Sequence, residues 1–187
     1  MTAPATDRMI EKRRRILDAA RFLMLRNGLR ATTMEAIARE AHIAKPTLYT
    51  QFPDKEAVYA ALMDDLVASI CGAFEGGISG TAPVAERVGD ALAGKFGAVA
   101  ALLGDSPHGE ELYNEHGRVA TRFAALDRQF EETVAHELTS AGASDGVGLA
   151  RLVIAAAYGI GRKLRGEAAV RDAIRLMCRR VIGAELG

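Results

Sequence analysis

The chain has 187 residues, of which 49% are hydrophobic, 5% are aromatic and none is Trp, and its acidic and basic side chains balance. With five prolines and few alternating β-branched runs, this composition favours an all-helical globular protein of one large or two small domains. The longest uncharged apolar run, Leu152 to Gly161, has ten residues, far fewer than the roughly 20 that a membrane-spanning helix needs.

The overall neutrality hides an uneven distribution of charge along the chain. Residues 1–60 hold 11 Lys or Arg and 7 Asp or Glu, whereas the remainder holds 13 and 17. A basic N-terminal third beside an acidic remainder suits a DNA-binding head on a body that DNA should not hold. We therefore predict a DNA-binding domain at residues 1–54 and a second domain at 55–187.

The first predicted helix runs from about Asp7 to Asn27, and Gly28 is its stop signal. It carries four consecutive basic residues, Lys12 to Arg15, which are either a solvated face or an arm near a phosphate backbone. No apolar core of signal-peptide type follows them. We therefore expect a cytoplasmic protein without a membrane partner.

Residues 28–56, GLRATTMEAIAREAHIAKPTLYTQFPDKE, contain two short helical patterns separated by a tight turn at His42 and Ile43. Thr33 can cap the first helix, whose inward positions have helical spacing: Met34, Ile37, Ala38 and Ala41. The second helix, Ala44 to Gln51, has Leu48 and Phe52 as apolar anchors and an otherwise polar side. This pattern predicts a helix-turn-helix whose second helix can enter a DNA major groove.

The same stretch resembles the DNA-binding segment of the TetR family of bacterial transcription regulators. The pattern T-x-x-x-I-A-x-x-A, a two-residue turn and then T-L-Y-x-x-F-x-x-K-E is close to that family's signature, and the run PTLY is especially typical. The resemblance is sharp over about residues 10–60 and architectural beyond them. It implies an all-α fold of about nine helices, with an N-terminal three-helix DNA-binding domain and a C-terminal helical ligand-binding and dimerisation domain.

The resemblance also implies roles for single residues of the head. Phosphate-binding positions of the family are matched by Thr33, Tyr49 and Lys55. Positions at the start and groove side of the recognition helix are matched by Lys45, Pro46, Thr47, Thr50 and Gln51. The chemistry agrees, because lysine can donate to guanine, glutamine can pair with adenine, and Pro and Thr methyl or methylene groups can contact thymine. The alternatives are a core aromatic for Tyr49 and a solvated lysine for Lys45.

Two positions depart from the family's pattern. His42 stands where the family usually has Gly, because the turn favours a positive φ, and His tolerates that region at a cost of about 1 kcal/mol. Ala44 stands where a Ser often caps the recognition helix, and losing such a cap costs roughly 0.5–2 kcal/mol. Pro46 partly offsets this loss, since its φ suits a first helical turn.

Beyond the motif, Asp54 is predicted to cap a fourth helix from about Lys55 to Ala73, and the glycine-rich segment from Gly72 to Pro83 is predicted to end it. Further helices are expected at about 83–103, 106–116, 118–141, 146–164 and 167–184. The segment LARLVIAAAYGIG within 146–164 is apolar nearly all round, so it needs cover on more than one side. A homodimer in which 146–164 and 167–184 of each chain form a four-helix interface would provide it, as in the resembled family.

The family's body holds a small molecule, and the resemblance implies such an effector here. Candidate ligand-binding residues are apolar or cluster near the helix expected at 106–116: Phe96, Leu103, His108, Tyr113, His116, Arg122, Phe123, Leu126 and Tyr158. Most of the apolar ones could equally be ordinary core, and Arg122 could hold an anionic group. No metal is expected: His108, Glu111, Glu115 and His116 have helical spacing, but Pro107 and Gly109 flank His108.

No cofactor or catalytic activity is expected, because no phosphate-binding loop, nucleophile elbow or nucleophile–base spacing is present. Cys71 and Cys178 form no cluster and are expected to be reduced. The sequence thus predicts a homodimeric transcription regulator, a repressor that leaves double-stranded operator DNA when a small, mostly apolar ligand binds. The alternatives are a TetR-like DNA binder without a small-molecule ligand, and a helical ligand-binding protein with a vestigial head.

Overall fold

The chain folds into helices without strands over the residues that its computed structural model describes, which are 3–104, 106–109, 112 and 117–187. Eight helices are bounded within these ranges: α1 (Ala3–Asn27), α2 (Met34–Glu40), α3 (Lys45–Gln51), α4 (Lys55–Ile78), α5 (Val84–Leu103), α6 (Gly117–Ser140), α7 (Gly146–Lys163) and α8 (Glu167–Leu186). The predicted all-α fold with an N-terminal helix-turn-helix is confirmed. The helix expected at 106–116 lies mostly outside the described residues.

The chain divides into two compact units. One comprises Met1–Asp65 and Ser106–Glu115, and the other comprises Leu66–Asp105 and His116–Gly187. Helix α4 contributes residues to both units, because the division falls between Asp65 and Leu66. The functional domains expected at 1–54 and 55–187 stay a prediction.

The first unit has an apolar core to which α1, the two short helices and the start of α4 contribute. Helix α1 ends at Asn27, and Gly28 adopts a φ of 84° that stops it, as expected. Helix α2 packs on α1 and on α3. The most deeply buried side chains of this core are Ile16, Ala20, Met24, Ile37, Leu48 and Val58. Such burial holds helices of seven residues that would not be stable alone.

Helix α4 is longer than its sequence indicates. The break expected at Gly72 is absent, because the helix continues through Gly76 and Gly77 to Ile78. Gly77 instead permits close packing: a Cβ there would lie 2.3 Å from the backbone nitrogen of Ala91 on α5. The stabilisation from this close helix contact offsets the weak helix propensity of glycine. The chain turns only after Ile78, where Gly80 has a φ of 111° and Pro83 precedes α5.

Within the second unit, α5 packs closely along α8, and α6 packs on α7. Cys178 of α8 is fully buried, and its Cβ would lie 3.3 Å from a Cβ placed on Gly89 of α5. Burial raises the pKa of the Cys178 thiol to about 12, so it stays protonated at neutral pH. Cys71 is half-buried, and neither cysteine forms a disulfide.

Among the described residues, α4 is long and apolar enough to cross a membrane by length and composition alone. The sequence did not indicate this, because Asp64 and Asp65 interrupt the apolar residues of α4 and leave no long uncharged run there. About half of its apolar window is buried inside the chain, as in a helix that contributes to a protein core.

Candidate nucleic-acid interface and ligand site

The turn between α2 and α3 sets the direction of the recognition helix, α3. Helix α2 ends in a Schellman motif, in which the His42 amide donates to the Arg39 carbonyl and the Ile43 amide donates to the Ala38 carbonyl. His42 adopts a φ of 54°, the left-handed conformation that this motif requires and that the sequence predicted. The sterically unusual conformation is therefore compensated by two backbone hydrogen bonds.

Arg15 fastens this turn to α1. Its Nη2 donates to the carbonyl oxygens of Ala41, at 2.6 Å, and His42, at 3.3 Å. These carbonyls lie at the negative end of the α2 dipole, where a guanidinium is favourable. Sequence reasoning assigned the basic run of α1 to phosphate or solvent and missed this contact, since nothing local links residues that are 26 positions apart.

The other arginines of that run also have partners within the first unit. Arg13 lies over the Phe52 ring, 5.6 Å from its centroid, and 3.7 Å from the Asp65 carboxylate. Arg14 pairs with Glu11 at 3.4 Å. Both arginines are substantially exposed, so these pairs contribute little to stability and can exchange for phosphate oxygens.

The caps of the two motif helices differ as the sequence predicted. The Thr33 hydroxyl oxygen accepts a hydrogen bond from the Ala36 amide at 3.1 Å and caps α2. Its hydroxyl hydrogen can still be donated to a phosphate oxygen. Ala44 makes no side-chain cap at α3, where Pro46 occupies the first turn.

Lys45 begins α3, and its ammonium pairs with a carboxylate of α2. Its Nζ lies 3.2 Å from Oε1 of Glu35, and both side chains are more than half exposed. A backbone hydrogen bond at Glu35 and the Lys45 ammonium hold the pKa of the Glu35 carboxyl below its ordinary value, so this carboxylate is ionised at neutral pH. Glu35 therefore competes with a base or a phosphate for the Lys45 ammonium, which keeps two further N–H donors.

The remaining groove-side candidates lie on the exposed part of α3. Tyr49 is 46% exposed, which excludes the alternative of a core aromatic. Pro46 and Thr50 are exposed, and the Thr50 hydroxyl donates to the Pro46 carbonyl at 2.8 Å, so its methyl group and its oxygen lone pairs remain for a base contact. Thr47 and Gln51 are half-buried. Leu48 and Phe52 are buried anchors, as predicted.

Lys55, the first residue of α4, has a structural contact that the sequence did not indicate. Its Nζ donates to the carbonyl oxygens of Leu29, at 2.9 Å, and Arg30, at 3.2 Å. An ammonium has three N–H donors, so one remains for a phosphate. Asp54 caps the same helix end by accepting from the Ala57 amide at 2.7 Å, as expected.

The ligand-binding candidates fall in different parts of the chain. Phe96, Phe123, Leu126 and Tyr158 belong to the second unit, where Phe96 and Phe123 are buried and the other two are half-buried. Leu103 is half-buried at the end of α5, and Arg122 is exposed. His108 belongs to the first unit, and its amide donates to the Ser106 hydroxyl. Tyr113 and His116 lie outside the described residues.

Two of these candidates surround a buried ion pair that sequence reasoning missed. Lys95 of α5 pairs with Asp127 of α6, with 2.6 Å between Nζ and Oδ1, and the Tyr158 hydroxyl of α7 donates to the other carboxylate oxygen. The rings of Phe96 and Tyr158 meet edge to face, with centroids 4.9 Å apart. A periodicity signal was available, because Lys95 lies seven residues after Val88 on the face that also buries Ala91 and Leu92.

No group of three His, Cys, Asp or Glu side chains suited to a metal ion occurs among the residues that the structure describes. Glu111, Glu115 and His116, three of the four considered for a metal site, lie outside that part of the chain.

The helix-turn-helix segment is similar to known regulators in sequence. Residues 16–62 match the family model described as bacterial regulatory proteins, tetR family. The uncharacterized HTH-type transcriptional regulator YvkB of Bacillus subtilis (strain 168) is 40% identical over 50 residues, 27% of this chain and 26% of that protein. YhgD of the same organism, also described as an uncharacterized HTH-type transcriptional regulator, is 30% identical over 83 residues, 44% of each chain. The chain therefore matches less than half the length of these relatives.

The fold is similar over nearly the whole chain. SCO4454, a TetR-family transcriptional regulator from Streptomyces coelicolor, superposes with a TM-score of 0.68 at 19% identity, covering 95% of this chain and 97% of that one. At this identity the likeness concerns the fold alone. Residues 16–62 therefore match the TetR family of bacterial regulatory proteins in sequence, and the chain as a whole shares its fold with SCO4454.

Proposed function

We propose that this protein is a transcription regulator that binds double-stranded operator DNA through α3 and has no catalytic activity. The observation that carries the proposal is the exposed polar side of α3, where Lys45 and Tyr49 project from a helix whose Leu48 is fully buried. A short helix seated in this way can enter a major groove without losing its packing.

The proposed contacts divide into positioning and reading. Thr33, Tyr49 and Lys55 are suited to phosphate oxygens, which orient the head without reading sequence. Lys45 is suited to guanine O6 and N7, for which Glu35 is a competing acceptor, and Gln51 is suited to adenine. Thymine methyls can be contacted by apolar groups of Pro46, Thr47 and Thr50. For Thr50 this contact would use the methyl group, because its hydroxyl hydrogen is donated to the Pro46 carbonyl.

We also propose a homodimer through α7 and α8. One face of each helix is buried within the protomer, but large apolar side chains remain on the other side, with Leu152 of α7 57% exposed and Leu176 of α8 51% exposed. A two-fold four-helix interface would cover both. Two heads can then bind half-sites about 34–36 Å apart.

Regulation by a small molecule completes the proposal. In the second unit, the Lys95 ammonium lies among the aromatic rings of Phe96, Phe130 and Tyr158. Regulators of the resembled family bind their ligands in the corresponding region. We infer a mostly apolar effector that releases a cytoplasmic repressor from DNA. Ligand binding can shift the DNA-bound population only as far as the ligand favours the released state.

The test is a mobility shift of the purified protein with its own upstream DNA across a salt series. We expect a palindrome-dependent complex of two chains per site, and Lys45→Ala should remove sequence preference while leaving non-specific binding. Weak binding that is indifferent to sequence and disappears with salt would contradict the proposed function, and the second unit would then be the place to seek another.

A further inference from the structure

The second unit contains a positive charge that is almost completely removed from water. The Lys95 side chain is 4% exposed, and its Nζ lies within 2.6 Å of Oδ1 of Asp127. The Tyr158 hydroxyl donates to Oδ2 of the same carboxylate. These three residues therefore connect α5, α6 and α7 through one polar cluster, here called the Lys95 cluster.

Aromatic rings surround the ammonium on the sides that the carboxylate does not occupy. Nζ of Lys95 lies 4.9 Å from the ring centroids of both Phe96 and Tyr158, and 5.4 Å from that of Phe130. Ring faces stabilise a cation electrostatically, and more so where water is excluded. The rings therefore stabilise the Lys95 ammonium independently of its carboxylate partner.

The two partners of the ion pair differ in their access to solvent. The Asp127 side chain is 33% exposed, whereas that of Lys95 is 4% exposed. The Asp127 carboxylate can therefore rotate into water at little cost in free energy, because it is already partly solvated. Lys95 cannot move away without breaking its contacts with three rings. An entering group would replace Asp127 and keep Lys95 as its partner.

This difference in solvent access determines which kind of ligand group can replace Asp127. A carboxylate would restore the charge pairing that Asp127 gives up, and it could accept from the Tyr158 hydroxyl. An amine would add a second positive charge beside an ammonium that cannot move away. An alcohol carries no charge, so it could not replace Asp127 as the counter-ion of Lys95.

We propose that Lys95 is the polar anchor of the effector site, and that the effector is a carboxylate with an apolar body, which binds by displacing Asp127. The displacement transfers a hydrogen-bonded ion pair from Asp127 to the ligand and breaks one of the polar links that join α6 to α5 and α7. The regulatory part of this inference rests on the proposed function, whereas carboxylate binding at Lys95 does not require DNA.

The first experiment measures carboxylate binding at Lys95 directly. Thermal unfolding of Asp127→Ala is followed in rising sodium acetate, with sodium chloride at matched ionic strength as the reference. We expect acetate to raise the midpoint of this variant and not that of Lys95→Met/Asp127→Ala, because the added carboxylate needs the ammonium. Asp127→Asn, which keeps the side-chain volume, replaces Asp127→Ala if the latter does not fold.

The second experiment uses the wild-type protein and three probes that share one alkyl chain, octanoate, octanol and octylamine, by titration calorimetry. We expect octanoate to bind about tenfold or more tightly than octanol, the order of a charge-assisted hydrogen bond, and octylamine to bind most weakly. Lys95→Met should remove the preference, and Asp127→Asn should strengthen octanoate binding. Arg151→Met is the matched control, because it removes an exposed ion pair between α7 and Glu131 of α6.

The outcomes separate this inference from the proposed function. Absence of acetate stabilisation in both Asp127 variants, or an octanoate preference that Lys95→Met leaves intact, would overturn the anchor while operator binding by mobility shift could still stand. Acetate and octanoate binding that depends on Lys95, in a protein that does not bind its upstream DNA, would uphold the anchor and reject the regulator.

Discussion

At the scale of single residues, side chains that bond to backbone carbonyls near helix ends stabilise the geometry of the head. Arg15 holds the carbonyls of the α2–α3 turn, and Lys55 holds those of the segment between α1 and α2. Lys55 was predicted to bind phosphate, and Arg15 was predicted to lie either on a solvated face or near a phosphate backbone. The sequence could not indicate the carbonyl partners, because each bond joins residues about 26 positions apart and depends on how the helices pack.

The Lys45–Glu35 pair leads to a prediction about DNA affinity. Glu35→Gln removes the carboxylate that holds the Lys45 ammonium, so binding to any duplex should tighten about two- to fivefold at low salt. Fluorescence anisotropy with specific and random duplexes would measure this. Glu40→Gln removes the same charge at the other end of α2 and is the control. An equal gain from both substitutions would mean that only net charge matters and that Glu35 does not restrain Lys45.

Lys55 should affect both stability and DNA binding. Lys55→Ala removes two hydrogen bonds to backbone carbonyls, so the free energy of unfolding should fall by about 1–2 kcal/mol. Binding should weaken for all sequences, and the slope of log affinity against log salt should fall by about 1.

Urea denaturation and a salt titration measure the two effects. Lys12→Ala, which removes an exposed positive charge from α1, should leave the free energy of unfolding unchanged. A Lys55→Ala protein as stable as the wild type would show that the carbonyl contacts contribute nothing.

At the scale of helices, two adjacent glycines of α4 have different structural roles. Gly72, Gly76 and Gly77 together indicated a helix break, yet all three are helical. A Cβ at Gly77 would meet the α5 backbone, whereas a Cβ at Gly76 would meet nothing within 4 Å. Composition alone cannot distinguish a flexible glycine from one that permits close packing, because the difference lies in the neighbouring helix.

This contrast provides a matched pair of substitutions. Gly77→Ala should destabilise the protein by about 2 kcal/mol or more, since the new methyl group forces α4 and α5 apart. Gly76→Ala should stabilise it by about 0.5–1 kcal/mol through helix propensity. Thermal or urea unfolding measures both, and equal effects of the two substitutions would contradict the close packing at Gly77.

At the scale of the whole molecule, the exposed apolar side chains of α7 and α8 predict the oligomeric state. Leu152→Asp or Leu176→Asp should convert the dimer to monomers, because each places a charge in the proposed four-helix interface. Light scattering after size-exclusion chromatography would show the change, and tight operator binding should be lost with it.

The control for this prediction is Phe22→Asp, which changes a side chain of α1 that is similarly exposed. It should leave the protein dimeric. Dimers that persist in both leucine variants would require another interface.

The sequence by itself determined the helix-turn-helix and its caps, because Thr33 and His42 act through hydrogen bonds with residues a few positions away, and it determined the apolar anchor Leu48 through helical spacing. It also determined most helix boundaries of the second unit, which follow local periodicity. Only the tertiary structure decided that Gly77 continues a helix, that Lys55 holds backbone carbonyls and that Lys95 is buried beside Asp127. Each of these depends on a partner brought close by packing between helices, and no local pattern identifies that partner.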